Sequence, residues 1–200
     1  MSTDQKRSFI ARIRCDDTPM KFFGQMLGNN ATQANLLTTA HRYSEIGKSM
    51  VRVHKINKAV GLTRSDEMIV YFCCYDDYYN IQIRSEAYLG KYLSKNPHGL
   101  LGAFVGAGGS TTSFNLLNMD QDIITLDDLK KDEARVYLKA RNADTVKRHL
   151  IESPKVYAYT DHVGDPVTFN LKILERDVPY PTGSTPYPLF IDPREQLDGI

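Results

Sequence analysis

Hydrophobic and polar positions alternate in short runs along most of the chain, and no long stretch repeats with a helical period. Phe9, Ala11 and Ile13 alternate with polar neighbours in "SFIARIRC", as do Tyr79, Ile81 and Ile83 in "YYNIQIRS" and Ala134, Val136 and Leu138 in "EARVYLKA". A period of two carried by β-branched and aromatic residues predicts half-buried strands. A basic residue closes each run: Arg14, Arg84 and Lys139. A polar turn follows, and then a second apolar pair, Phe22/Phe23, Tyr92/Leu93 or His149/Leu150. A third short strand is predicted within "ANLLTTAHRY" (34–43), "GAFVG" (102–106) and "KVYAYT" (155–160). A fourth is carried by "TSFNLLNM" (112–119) and "VTFNLKIL" (167–174), which share Phe-Asn-Leu.

The spacing ties these runs into a repeat. Ile83 precedes Phe114 by 31 residues, and Leu138 precedes Phe169 by the same 31. The N-terminal copy is looser: Val51 and Val53 of "MVRVHKI" stand for Phe114 and Leu116, with 38 residues between Ile13 and Val51. The apolar run Met68–Cys74 reads either as an additional strand or as the true fourth strand of this first unit. Three units of four strands predict an all-β chain, a single β-trefoil over residues 1–177. In that fold six strands close a barrel and three hairpins cover one end. One such unit cannot bury its apolar face alone, whereas three around an axis share a core. The expected inward residues are Ile13, Ile83 and Leu138 from first strands, with Val53, Leu116 and Leu171 from fourth strands. Thr125 followed by Asp128 predicts a short surface helix between units two and three. Residues 178–200 hold five prolines without periodicity, so this C-terminal extension is expected to be extended, along the barrel or free.

Composition narrows the function classes. The 25 basic and 24 acidic residues nearly cancel, so no global field draws nucleic acid or an anionic membrane. No apolar run approaches the roughly 20 residues that span a bilayer, and the N-terminus lacks a signal-like apolar segment. Cys15, Cys73 and Cys74 cannot all pair and are expected to be reduced. These features predict a cytoplasmic protein, or one exported without a conventional signal peptide.

No catalytic set is legible. "GAFVGAGGSTTS" lacks the Gly-Lys-Ser/Thr ending of a phosphate loop and leads into a strand. The acids at 120–128 lack the Gly and Glu of a calcium loop. The five histidines are scattered away from metal-ligand spacing, and no nucleophile elbow occurs. The expectation is therefore a non-enzymatic protein without a cofactor. The richest surface signal is "YDDYYN". Tyr75, Asp76, Asp77 and Tyr78 combine flat apolar rings with carboxylates that suit sugar hydroxyls. The same letters also read as a capped hairpin with Tyr79 filling the barrel. Asn96 and His98 in "SKNPHG" offer a recognition tip on a hairpin loop.

The three units resemble the β-trefoil superfamily, and "LGKYLSKN" (89–96) is similar to the Gly-Lys-Tyr-Leu turn and strand of fascin-like trefoils. The resemblance implies a binding protein with a glycan or protein partner. Carbohydrate recognition ranks first, fascin-like actin binding second, and protease inhibition third. The chain has no tryptophan, so it departs from the ricin-type Gln-x-Trp repeat.

Overall fold

The alternating runs pair side by side until six of them form a ring. The computed structural model describes residues 3–16, 18–27, 33–39, 67–85, 87–106, 112–152 and 155–180. Unit one supplies β1 (Phe9–Cys15), β2 (Thr18–Phe22), β3 (Leu37–Thr39) and β4 (Met68–Tyr75). Unit two supplies β5 (Tyr78–Ile83), β6 (Tyr92–Lys95), β7 (Leu101–Phe104) and β8 (Ser113–Leu117), followed by the two-residue β9 (Ile123–Ile124). Unit three supplies β10 (Glu133–Ala140), β11 (Lys147–Glu152), β12 (Lys155–Thr160), the two-residue β13 (Asp165–Pro166) and β14 (Phe169–Glu175). Among the described residues, two helices of one turn, α1 (Thr3–Lys6) and α2 (Phe23–Leu27), and one 3-10 turn complete the regular elements.

Around the barrel, β1 pairs with β4, β4 with β5, β5 with β8, β8 with β10, β10 with β14, and β14 with β1. All six contacts are antiparallel. Six more strands form three hairpins, β2–β3, β6–β7 and β11–β12, while short β9 pairs with β8 and β13 with β11. Each hairpin touches both others through one bridge: Leu36 with Gly102, Leu100 with Thr160, and Thr38 with Ala158. Closing the sheet satisfies both edges of every barrel strand, which a flat six-stranded sheet cannot do.

Met68–Tyr75 holds the fourth-strand position of unit one: it pairs with its own β1 and with the next unit's β5, as β8 and β14 do in theirs. Val51 and Val53 lie outside the described residues.

Register corrects the repeat by two residues. Phe169 faces Cys15, Phe114 faces Ala140, and Val70 faces Ile83 across the seams between units. The counterpart of Ile83 is therefore Ala140 rather than Leu138, and Leu138 matches Ile81 and Ile13. The equal 31-residue spacings conceal this slip because a shift of two keeps every side chain on the same face. Ile13, Ile83, Leu138, Leu116 and Leu171 all point into the core as expected. Around the seams a large residue meets a small one, Phe with Cys or Ala, and the smaller Val70 meets the larger Ile83. That complementarity keeps the interior near crystal-like density.

The core ends in hydroxyls that find partners. Phe9 and Phe72 stack at 4.5 Å, and Tyr79 meets both edge-on at 5.7 and 5.8 Å. The Tyr79 hydroxyl accepts the Leu126 N–H at 2.9 Å, fixing the segment that crosses this end. At the hairpin end the Tyr159 hydroxyl and Thr39 Oγ1 lie 2.6 Å apart. The predicted surface helix is reduced to a 3-10 turn, Leu126–Asp128, with the Asp128 carboxylate accepting the Thr125 N–H at 2.8 Å.

One patch of the barrel's outer wall is apolar. Ile10, Ile69, Tyr71 and Cys73 form it, and Val178 packs on them. The Val178 N–H donates to the Ser8 carbonyl at 2.9 Å, and the Tyr71 hydroxyl reaches the carbonyls of Val178 (3.2 Å) and Pro179 (3.3 Å). The first residues of the extension thus lie against the barrel; residues 181–200 are outside the described set. The three cysteines are free and buried. Among the described residues no helix is long and apolar enough to cross a membrane.

Candidate functional site

Alternation that sends Phe9, Ala11, Ile13 and Cys15 inward must send Arg12 and Arg14 outward. The same logic on the two neighbouring strands turns out Asn170 and Lys172 from β14, with Glu133 and Arg135 from β10. Register aligns them in two rows. Arg12 faces Lys172, which faces Glu133; Arg14 faces Asn170, which faces Arg135. Glu67, just before β4, flanks the first row. Together these residues line a groove of about 500 Å³ on the barrel wall.

Charged side chains of the groove are tied to one another. Glu67 pairs with Arg14 and lies 3.8 Å from Arg12. The Arg12 side chain is only 6% exposed and Glu67 11%, so this pair forms a fixed floor. On the far wall the Arg135 Nε–H donates to Thr168 Oγ1 at 2.8 Å, and that hydroxyl donates to Asp16 Oδ1 at 2.7 Å. Asp16 also lies 3.6 Å from the Arg135 guanidinium and, through its carbonyl, accepts the Asn170 amide at 2.7 Å. Asp16 sits at φ 48°, a left-handed turn position that aspartate tolerates better than most side chains. These bonds hold the guanidinium plane of Arg135 while leaving its side chain 58% exposed. The result is a set of planar guanidinium donors and carboxylate acceptors held in place by their own contacts.

The residues singled out from sequence fall in two other places. Tyr75, Asp76, Asp77 and Tyr78 form the hairpin turn between β4 and β5, with Tyr75 opposite Tyr78 and Asp76 at φ 59°. The Tyr75 ring stacks with Tyr78 at 5.7 Å and with Tyr180 at 5.5 Å, and the Arg141 guanidinium lies 4.1 Å from the Tyr78 ring centre. The Tyr180 hydroxyl donates to the Cys74 carbonyl. These rings contact each other and Arg141, while Tyr75 stays 37% exposed. Asp76 and Asp77 are exposed at the tip.

Asn96 and His98 lie on the β6–β7 turn. Asn96 Oδ1 accepts the backbone N–H groups of His98 and Leu100, both at 2.9 Å, so this side chain is committed to shaping the turn. His98 is exposed. Next to it Lys95 pairs with Asp161 at 2.5 Å, with the carboxylate 1% exposed, which ties the turn to the end of β12.

Burial pushes the thiols up: Cys15 to about 11 and Cys74 to about 12, with Cys73 also raised. At neutral pH they are protonated, poor nucleophiles. Among the described residues no three His, Cys, Asp or Glu side chains gather at metal-binding distance; His41 and His54 lie outside that set.

Sequence reasoning missed the groove. Its signal was present as charges at the outward positions of "ARIR", "EAR" and "NLK", but only the pairing of the first strand with the last brings them together. The chain matches no protein-family model and no curated protein.

Proposed function

We propose that this chain is a β-trefoil and acts as a non-catalytic, saccharide-binding protein, with its ligand in the groove between β1, β14 and β10. The six-stranded barrel with three mutually bridged hairpins supports the trefoil assignment. The observation that carries the binding role is the preorganised polar groove: fixed guanidinium and carboxylate groups within a volume of about 500 Å³. Sugars present vicinal hydroxyls that such planar groups bind in pairs, and prior fixing of Arg135 and Glu67 lowers the ordering cost on association. Protonated thiols and the lack of a legible nucleophile–base pair favour recognition over turnover.

A glycan array probed with the full chain tests this, followed by titration calorimetry on the hits. Arg135→Ala and Glu67→Gln should weaken the hits, whereas Tyr75→Ala and His98→Ala should leave them unchanged. Equal loss from the Tyr75 variant would move the site to the β4–β5 turn. A blank array from folded protein would end the saccharide reading, and actin co-sedimentation with a protease panel would then test the two other binding roles.

A further inference from the structure

The charges lining the groove do not balance. Four cations, Arg12, Arg14, Arg135 and Lys172, meet two carboxylates, Glu67 and Glu133. Glu67 serves both Arg12 and Arg14. Arg135 leans on Asp16 from the rim at 3.6 Å, beyond direct hydrogen-bond distance. Lys172 makes no ion pair within 4 Å among the described residues, although Glu133 is its cross-strand partner. Instead Lys172 directly faces Arg12 across the β1–β14 pair. Like charges opposite one another on adjacent strands repel, and Lys172 is the one of the two that stands open to the groove. An anion set between Lys172 and Arg135 would offset that repulsion.

Geometry narrows the anion. Arg14 and Arg135 flank Asn170 from strands on either side, roughly 10 Å apart at their backbones by the usual strand spacing. Long side chains from both strands can meet over the amide between them. Arg135 has its Nε–H spent on Thr168, which fixes the plane of the fork. A planar guanidinium held edge-on matches a planar carboxylate, and ammonium groups such as Lys172 add charge without directional demand. We infer that the groove takes an acidic saccharide of the uronic-acid class, its carboxylate held by Arg135 and Lys172 beside Arg14, and its hydroxyls held by Glu67, Glu133 and Asn170. This rests on the saccharide reading and adds the charge of the sugar to it.

The experiment uses the full chain and calorimetry against three probes: an oligouronate, the same oligomer with its carboxyls reduced to alcohols, and inorganic sulfate. The oligouronate should bind, and reduction should weaken it roughly tenfold or more, as expected for loss of charge-assisted hydrogen bonds. Arg135→Gln and Lys172→Gln should each weaken the acidic oligomer by a clearly larger factor than the reduced one. Both residues are at least partly exposed, so the fold should survive, and an unchanged unfolding midpoint verifies it. Affinity for the acidic oligomer should also fall as salt rises. Equal binding of the two oligomers would overturn the acidic assignment and leave the saccharide reading standing. Binding of sulfate as strong as that of the oligouronate, with the reduced oligomer silent, would overturn both, because the groove would then be reading bare charge.

Discussion

The seam between β8 and β10 offers a direct test of the large-against-small packing. Phe114 and Ala140 face each other there, and the equivalent seam between β4 and β5 places Val70 against Ile83, all four fully buried. The barrel therefore already contains the alternative solution. Phe114→Val alone removes roughly four buried carbons at about 0.8 kcal/mol each, so about 3 kcal/mol is expected after partial collapse of the space. Ala140→Ile alone pushes extra carbons against the Phe114 ring and should cost about 1–3 kcal/mol through strained rotamers. Made together, the two changes recreate the Val70–Ile83 pair and nearly conserve volume. The double variant should then lose only about 1–2 kcal/mol, a coupling of about 3 kcal/mol, at the upper end for residues in contact. Equilibrium urea unfolding of the four proteins at constant m-value measures this. Costs that add to within about 0.5 kcal/mol would show that Phe114 and Ala140 do not share a space, and the threefold register would be wrong.

Four further expectations follow from the same structure. The thiols should resist modification in the native protein and react fully in denaturant; fast native labelling would place at least one outside the core. Because Cys15 and Cys74 are raised to about 11 and 12 from 9.0, the folded chain holds more protons than the unfolded one above pH 9. Stability is thus complete below pH 9 and falls as pH climbs through 11, and a urea midpoint that stays flat from pH 8 to about 10.5 would contradict this. Lys95→Met should cost about 3–5 kcal/mol by stranding the buried Asp161 carboxylate, with much of that regained in the double variant carrying Asp161→Asn; a neutral single variant in thermal melts would show the pair to be hydrated. A chain ending at Asp177 should be less stable than one ending at Tyr180 by about 2–3 kcal/mol, from the lost burial of Val178 and its hydrogen bonds. Matching midpoints would mean that the segment merely rests on the wall.

Period-two alternation made the strands legible, and the inward residues with them, since Ile13, Ile81 and Leu138 lie in phase within their own runs. Exact register was not, because a slip of two residues preserves that phase and only the pairing of Phe114 with Ala140 rather than Leu138 exposes it. The fourth strand of unit one was ambiguous for a similar reason: Val51/Val53 and Met68–Cys74 both alternate or run apolar, and only partners on both sides distinguish them. The tyrosine-rich turn drew notice because its letters are adjacent. Arg135 and Lys172 drew none, and Arg14 only as the basic residue that closes its run, since each is an ordinary outward charge within its strand. Their proximity is a product of barrel closure, across more than 150 residues in the case of Arg14 and Asn170.

That closure has a consequence for the order in which the molecule is made. Strand β1 meets β4 early in synthesis, but its other edge stays open until β14 leaves the ribosome. At roughly 5–20 residues per second, about 8–30 seconds separate the emergence of β1 from that of its last partner. Through that interval β1 presents unpaired backbone groups beside an apolar face, an invitation to aggregation that the growing chain has to survive. The groove straddles this final seam, with Arg12, Arg14 and Glu67 from the first unit and the rest of its lining from the third. A nascent chain stalled before residue 169 can hold several paired hairpins and still lack the groove altogether.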